Sequence, residues 1–287
     1  MTRTIALITG ASSGIGAAYA RLLADDHDLV LVARRADRLA DIAEELRARG
    51  AAVEVLPADL MTHDGITAVT DRLAAGDVRT LISNAGAGGY APLTDVESAD
   101  IDRLLTLNAV APVRLVHAAL PGMLAAGEGA IVTVASLLAF SAGFTDPRAP
   151  RRTLYVAAKA ATLGFTRTLA SELADTPLRV QVLCPGVVAT EWNSGAGHNI
   201  PWAMTPEDVA SASLAGLRLG ETVCAPGLEG QDAALDALLA AETALVSGGN
   251  QPALAARYAA PPALGRPWSV GRSSLSACPA RLHNSWR

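Results

Sequence analysis

The chain has 287 residues, 51% of them hydrophobic and 18% charged, a composition typical of a globular protein with one large core. Its net charge of −5 argues against a protein that binds nucleic acid. Three widely spaced cysteines and five histidines without ligand spacing argue against a disulfide framework or a metal site, so we expect no metal and a cytoplasmic location. No apolar run reaches the roughly 18 residues that span a bilayer, and the N-terminus lacks the features of a secretory signal, so we expect no membrane contact.

Short apolar runs alternate with segments of helical period. The runs are apolar on both faces, which is typical of strands in a buried parallel sheet. We predict strands at residues 5–9, 29–33, 53–57, 80–83, 130–135, 179–184 and 222–226. Helical periods cover 36–50 and 99–127, and Thr205 with Pro206 marks the start of a later helix. This alternation predicts an α/β fold: a doubly wound, mostly parallel, Rossmann-like sheet of about seven strands in a single domain.

The chain is predicted to hold one catalytic domain over residues 1–258. Within it, residues 191–206 contain Trp192, Trp202 and two glycines, and are expected to form a small mobile lid over the substrate. Residues 232–246 have an amphipathic helical pattern, which would close the pocket or pack on a partner subunit. The tail, residues 259–287, is rich in Arg, Pro and Ser and has no acidic residue, so we expect disorder or loose packing there.

A glycine-rich turn, TGASSGIG at residues 9–16, follows the first strand and opens the first helix. The first turn of a helix offers unpaired backbone N–H groups and the positive end of the dipole, both of which bind phosphate. Glycines permit the tight turn and a close approach of the backbone to the ligand. The turn therefore predicts nucleotide binding by Gly10, Ser12, Ser13, Gly14, Ile15 and Gly16.

The end of the second strand predicts which dinucleotide binds. NAD-selective sites place an acidic residue there, whereas this chain has Ala33 followed by Arg34 and Arg35. A guanidinium binds a 2′-phosphate through charge-assisted hydrogen bonds, so we predict NADP(H). The alternative is that these arginines are only the solvated start of a helix.

Two further polar groups follow successive strands. Asp59 and Leu60 come after the third strand, where the carboxylate could accept a hydrogen bond from the adenine amino group. Asn84, Ala85 and Gly86 form a small-residue turn after the fourth strand, which leaves room for the adenine ribose. Each signal alone is weak, and their order along the chain gives them weight.

Lys159 is the only lysine in the chain, and it follows Tyr155 by four residues. The two side chains therefore share one face of a helix. A phenol titrates near pH 10, too high for a proton shuttle at neutral pH, and an ammonium at about 4 Å would stabilise the phenolate by roughly 4 kcal/mol. The compact ammonium could also bond a ribose hydroxyl. The alternative is a chance pair on an exposed helix, but the flanking alanines favour a packed one.

Two more polar residues complete the predicted centre. Ser136 ends the fifth strand, where its hydroxyl could hold a substrate oxygen beside Tyr155. Asn108 interrupts an apolar helical segment and could bend that helix and bind a water leading to Lys159. A satisfied buried polar residue is the other interpretation of Asn108.

Taken together and in this order, the motifs resemble those of the classical short-chain dehydrogenase/reductase family from Thr4 to about Gly227. The resemblance implies a catalytic tetrad of Asn108, Ser136, Tyr155 and Lys159. It also implies a nicotinamide site lined by Pro185, Gly186, Val188 and Thr190. Hydride would pass between the nicotinamide and a substrate carbon while Tyr155 exchanges a proton. The family pattern further implies a homodimer or homotetramer built on the helices of Asn108 and Tyr155.

The chain departs from the family pattern between Ser136 and Tyr155, which are 19 residues apart with residues 145–152 as the apparent insertion. Its arginines would either flank the cleft and favour an anionic substrate or carrier-bound acyl group, or form a solvated loop. Ser141 is the substitute if the insertion misplaces Ser136.

The sequence therefore predicts an NADP(H)-dependent oxidoreductase that acts on a small-molecule carbonyl or secondary alcohol. A 3-ketoacyl thioester reductase is a narrower variant of this function. A catalytically idle NADP-binding regulatory protein of the same fold is the alternative. A sugar epimerase or dehydratase is a third candidate, although those enzymes normally have a different glycine spacing.

Overall fold

The fold is that of a computed structural model, which describes residues 3–144, 151–195, 197–198 and 200–258. Its centre is a seven-stranded sheet of order β3-β2-β1-β4-β5-β6-β7 in which every neighbouring pair is parallel. The strands are β1 Thr4–Thr9, β2 His27–Ala33, β3 Val53–Pro57, β4 Val78–Ser83, β5 Ala130–Val134, β6 Arg179–Leu183 and β7 Val223–Cys224. The predicted fold class is confirmed, and only the last strand is much shorter than expected.

Helices follow the strands in alternation. They are α1 Gly14–Leu23, α2 Ala36–Ala48, α3 His63–Ala74, α4 Ser98–Leu105, α5 Ala111–Ala126, α6 Thr153–Glu172, α7 Trp192–Gly195, α8 Pro206–Leu219 and α9 Gln231–Gly249. A π-helical turn, Thr106–Val110, joins α4 to α5. The predicted start of α8 is confirmed, because the Thr205 side chain accepts a hydrogen bond from the Asp208 N–H and Pro206 occupies the first turn.

Alternate residues of the strands pack into two apolar cores. Ala6 and Ile8 of β1 belong to the core that packs on α1, α2 and α8, whereas Leu7 belongs to the core that packs on α3 and α5. Side chains that are apolar on both faces of a strand therefore serve helices on both faces of the sheet. This is the doubly wound arrangement predicted from the sequence.

The stretch Ser98–Ala126, which spans α4, the π turn and α5, is long and apolar enough to cross a membrane by length and composition alone. Leu115, Val116 and Ala119 of α5 are nevertheless buried in the core beneath the sheet. One face of α5 therefore packs in the protein core.

The chain divides into two compact units, the first ending at Leu228 and the second beginning at Glu229. The second unit contains α9, none of whose residues is buried. The predicted domain boundary at residue 258 stays a prediction. The predicted tail, 259–287, and residues 145–150 of the predicted insertion lie outside the described residues.

The chain order reverses between β1 and β4, because β1 continues to β2 on one side and β4 continues to β5 on the other. Such a switch point opens a crevice at the carboxyl ends of the strands, where ligands bind in open α/β sheets. The glycine turn after β1 and the Asn84 turn after β4 both lie at this crevice.

Candidate active site

Tyr155 and Lys159 lie on α6, and both are buried, with 7% and 4% of their surface exposed. The Lys159 Nζ atom lies 5.8 Å from the centre of the Tyr155 ring and donates a 2.8 Å hydrogen bond to the carbonyl of Val134, the last residue of β5. The two residues therefore share one helix face, as the four-residue spacing predicts, and that face is packed against the sheet.

Burial is the largest influence on the pKa values of this pair. Burial raises the pKa of Tyr155, nearby Tyr90 raises it further, and the neighbouring Ser136 side chain lowers that pKa by less. Burial also lowers the pKa of Lys159 to about 8. The Lys159 ammonium donates a hydrogen bond to the Val134 carbonyl, and its predicted stabilisation of the phenolate stays a prediction. At neutral pH Tyr155 is a neutral phenol, and Lys159 is largely protonated.

Ser136 lies beside Tyr155, as predicted. It follows β5 and begins a short 3₁₀ helix, Leu137–Phe140, whose Leu138 N–H donates to the Ser136 hydroxyl at 3.1 Å. The Ser141 hydroxyl donates instead to the Leu138 carbonyl at 2.8 Å. Of the two serines, Ser136 is the one whose side chain affects the pKa of Tyr155.

Asn108 lies in the π-helical turn and is buried. Its side-chain amide exchanges two hydrogen bonds with the backbone of Ala87, at 3.2 and 3.1 Å, and donates a third to the Leu104 carbonyl. Its own carbonyl, released from the regular helical pattern, accepts a 2.7 Å hydrogen bond from the Thr162 hydroxyl of α6. The predicted bend is therefore a π turn, a feature often found at functional sites, and it joins this helix to the helix of the Tyr155–Lys159 pair.

Two aromatic side chains lie beside Tyr155: Trp192, which the sequence places in the predicted lid, and Tyr90, which the sequence did not assign to the site. The ring of Tyr90 lies 5.3 Å from that of Tyr155, the ring of Trp192 lies 5.5 Å from it, and the two are 5.8 Å apart. Burial raises the pKa of Tyr90 to about 12, and the charge of Arg152 opposes that rise. An available signal for Tyr90 was its place in the loop after β4, at the same sheet edge as Asn84.

The glycine turn packs directly against the Asn84 turn. The Thr9 carbonyl accepts a hydrogen bond from the Asn84 amide group at 2.9 Å, and its hydroxyl accepts from the Asn84 and Ala85 N–H groups. A Cβ on Gly10 would lie 2.7 Å from the Asn84 Nδ2 atom, and one on Gly16 only 2.3 Å from the Gly10 carbonyl oxygen. These glycines are required by the contact between the two turns, and Asn84 holds that contact together.

The first helix presents an anion-binding end. Ser13, the residue before α1, makes no side-chain cap hydrogen bond, which leaves the first N–H groups of this helix open to a ligand. Arg35 donates to the hydroxyls of Ser12 and Ser13, at 2.9 and 2.7 Å, so its guanidinium lies on the glycine turn. Arg34, the other predicted residue, is exposed.

The predicted nicotinamide residues all lie in the segment after β6. Thr190 packs on Gly14, since a Cβ there would meet the Thr190 methyl group at 3.0 Å. Val188 bridges to Met204, which fixes the base of the predicted lid. Pro185 and Gly186 follow β6 at the same sheet edge, and the Leu137 N–H donates to the Pro185 carbonyl.

Asp59 and Leu60, the predicted pair after the third strand, make contacts within the protein. The Asp59 carboxylate accepts a hydrogen bond from the Met61 N–H at 3.0 Å, and Leu60 is buried in the core of α3 and α5. The partly exposed carboxylate of Asp59 is the only one of the two side chains that could reach an adenine.

The residues at this edge fit a dinucleotide. A Cβ on Gly86 would lie 3.0 Å from the Asn108 Oδ1 atom and 3.3 Å from the Lys159 Nζ atom, so the glycine leaves a gap lined by both groups. The open N–H groups of α1 would hold the phosphates, Lys159 would hold a ribose hydroxyl, and Arg35 would hold an anionic group on the adenosine. Among the described residues, no cluster of His, Cys, Asp or Glu could hold a metal ion.

Comparisons with known proteins agree with this geometry. The family model for short chain dehydrogenase matches residues 4–200. The solved structure of a short-chain dehydrogenase from Sphingobium yanoikuyae in complex with NADPH is 38% identical, with a TM-score of 0.82, and the match covers 89% of this chain and 100% of that one. A bulky-bulky ketone specific alcohol dehydrogenase from Comamonas testosteroni is 32% identical, with a TM-score of 0.81 and coverage of 90% and 99%.

A curated relative, cis-4-hydroxycyclohexanecarboxylate dehydrogenase from Sinomonas cyclohexanicum, is 34% identical over 72% of this chain and 86% of its own length. The ordered motifs, the parallel sheet and these matches agree in every part of the chain that carries the site. The chain belongs to the classical short-chain dehydrogenase/reductase family of oxidoreductases.

Proposed function

We propose that the protein is an NADP(H)-dependent oxidoreductase that interconverts a ketone and a secondary alcohol, with Tyr155 as the general acid and base. The observation that carries the proposal is the burial of Tyr155 beside Ser136, on the same helix face as Lys159 and at the same sheet edge as the glycine turn. A catalytically idle protein has no need to bury an ammonium beside a phenol, because burial of a charge is costly.

Side chains of this protein would transfer the proton to and from the substrate oxygen. The bound nicotinamide supplies or accepts the hydride. Because burial keeps Tyr155 protonated at neutral pH, its hydroxyl can donate to a substrate oxygen as that oxygen gains negative charge. Ser136 would bond the same oxygen and orient it. Lys159 would favour the phenolate that remains, because its pKa of about 8 leaves it largely charged at neutral pH.

The preference for NADP(H) is supported by Arg35. Its guanidinium lies on the Ser12 and Ser13 hydroxyls, beside the helix end where an adenosine phosphate would bind. The Sphingobium relative was solved with NADPH, which agrees with this preference. A 2′-phosphate would gain charge-assisted hydrogen bonds there that a 2′-hydroxyl cannot make.

The aromatic rings of Tyr90 and Trp192 support a bulky, apolar substrate. Their rings lie 5.3 and 5.5 Å from the Tyr155 ring, so a carbonyl that reaches the phenol would bring its substituents against these rings. The Comamonas relative is named a bulky-bulky ketone specific alcohol dehydrogenase, and the Sinomonas relative is named a cis-4-hydroxycyclohexanecarboxylate dehydrogenase. We infer an alicyclic or aryl ketone, or the corresponding alcohol.

The test is to follow NADPH oxidation with a panel of alicyclic ketones, aryl ketones, short aldehydes and ketoacyl thioesters, and to repeat the best reaction with NADH. The proposal expects turnover of bulky ketones and a higher kcat/KM with NADPH. Faster turnover with NADH would overturn the cofactor preference. A response limited to thioesters would overturn the substrate class, and no reduction of any carbonyl would favour the idle regulatory protein.

A further inference from the structure

The arginine that the proposed function assigns to the 2′-phosphate is already paired with a carboxylate of its own chain. Glu191 Oε2 accepts a hydrogen bond from Arg35 at 3.1 Å and from Arg38 at 2.6 Å. Arg38 lies one helical turn after Arg35, so both guanidinium groups face one anion. Glu191 is 156 residues away along the chain from Arg35, so only the fold brings the carboxylate here.

A carboxylate and a phosphate monoester make the same kind of contact with guanidinium groups, because each is an anion with several acceptor oxygens. The phosphate carries the larger charge at neutral pH, about −1.5 to −2. A 2′-phosphate therefore competes with Glu191 for Arg35 and Arg38. A 2′-hydroxyl, which has no charge, has no comparable means of displacing the carboxylate.

Glu191 is joined by one peptide bond to Trp192, whose ring packs on Tyr155 and Tyr90. The Trp192 N–H in turn donates to the hydroxyl of Thr190, the residue that packs on the glycine turn at Gly14. A single short segment therefore contacts the proposed 2′-phosphate site with one side chain and the proposed substrate site with the next. A displacement of Glu191 that moves its backbone also moves Trp192, because the two residues are adjacent in the chain.

We propose that Glu191 occupies the 2′-phosphate site of the free protein, and that the 2′-phosphate of NADP(H) displaces it and thereby loosens Trp192 from Tyr155. Glu191 thus discriminates between cofactors, since only the phosphorylated one opens the aromatic cluster over the phenol. This inference rests on the NADP(H) use proposed above.

The first test measures the affinity of the whole protein for adenosine 2′,5′-bisphosphate and for adenosine 5′-monophosphate, which differ only in the 2′-phosphate. Glu191→Gln should bind the bisphosphate about two- to fivefold more tightly than the wild type does, the range expected for removal of an exposed ion pair. Its affinity for the monophosphate should not change. Asp37→Asn is the matched control, because this exposed carboxylate lies between Arg35 and Arg38 in the first turn of α2. Among the described residues no ion pair joins it to either arginine, so it should alter both affinities alike.

The second test monitors Trp192 itself. With Trp202, Trp268 and Trp286 replaced by phenylalanine, acrylamide should quench the Trp192 fluorescence more strongly after the bisphosphate is added, and not after the monophosphate. In the Glu191→Gln background the quenching should be strong without a ligand.

The outcomes separate the two proposals. If the wild type prefers the bisphosphate but Glu191→Gln leaves that preference unchanged or weakens it, this inference is wrong and NADP(H) use stands. The same holds if the bisphosphate binds without changing the quenching. If neither the wild type nor the variant prefers the bisphosphate, both proposals fall.

Discussion

Replacing Lys159 with methionine should make the protein more stable near neutral pH while it removes catalytic activity. The ammonium is 4% exposed, and burial lowers its pKa from 10.5 to about 8. At 1.36 kcal/mol per pKa unit, that difference is a cost of about 3 kcal/mol for the charged folded state. Methionine has a similar unbranched shape, but it loses the hydrogen bond to the Val134 carbonyl, which is worth about 1 kcal/mol. We therefore expect a net gain of about 2 kcal/mol in the free energy of unfolding at pH 7.

The stability difference between the wild type and Lys159→Met also depends on pH. The folded-state pKa of Lys159 lies below the unfolded one, so the unfolded chain binds more protons between about pH 8 and pH 10.5. The stability of the wild type relative to Lys159→Met should therefore rise with pH in that window. The gap between the two proteins should shrink by about 2 kcal/mol between pH 7 and about pH 9.5, and nearly close.

Urea unfolding of both proteins at matched concentration measures this gap at each pH. Lys159→Arg is the control, because a guanidinium stays charged over the whole range and its deficit relative to the methionine variant should persist at pH 9.5. The reasoning is refuted if the gap between wild type and Lys159→Met is independent of pH. It is also refuted if the methionine variant is the less stable protein at pH 7.

Substitutions at three further positions test the contacts around Tyr155 and Lys159. Gly86→Ala places a methyl group against Asn108 Oδ1 and Lys159 Nζ, so it should cost about 1–3 kcal/mol in urea unfolding and lower kcat; unchanged values for both would contradict the crowding. Thr162→Val leaves the buried Asn108 carbonyl without its hydroxyl donor and should cost about 1–3 kcal/mol, whereas Thr162→Ser should remain near wild type in the same assay. Ser136→Ala should lower kcat about a hundredfold at unchanged NADPH affinity, and a loss of NADPH affinity alone would assign the serine to the cofactor instead.

The fold was predictable because its signals are local. Strands β1 to β6 are apolar on both faces, and each is followed by a helical period or a turn, so the parallel sheet follows from the pattern alone. The last strand, β7, has only two residues, although five were predicted. At the edge of the sheet it pairs on one side only, with β6, so an apolar run there need not extend a ladder.

The catalytic pair was predictable and its electrostatics were not. Four-residue spacing places Tyr155 and Lys159 on one helix face whatever the rest of the chain does. The Lys159 ammonium donates its hydrogen bond to the Val134 carbonyl. This partner depends on where β5 ends relative to α6. The expected stabilisation of the phenolate assumed a distance that only the packing of these elements determines.

Contacts between segments that are far apart along the chain also could not be predicted from the sequence. Arg35 was predicted from its place after β2, but its partner Glu191 comes from the segment after β6. Tyr90 and Trp192 come from two loops that meet only over α6, so no spacing along the chain links them to Tyr155.

The central claim is that the Tyr155 hydroxyl carries the proton, and Tyr155→Phe tests it most directly. The variant keeps the ring that packs on Tyr90 and Trp192 and loses only the hydroxyl. NADPH affinity and the midpoint of urea unfolding should stay close to those of the wild type. The rate of NADPH oxidation with the best ketone of the panel should fall by about 10²- to 10⁴-fold, the contribution typical of a positioned acid. A variant that binds NADPH and reduces that ketone at the wild-type rate would contradict the account.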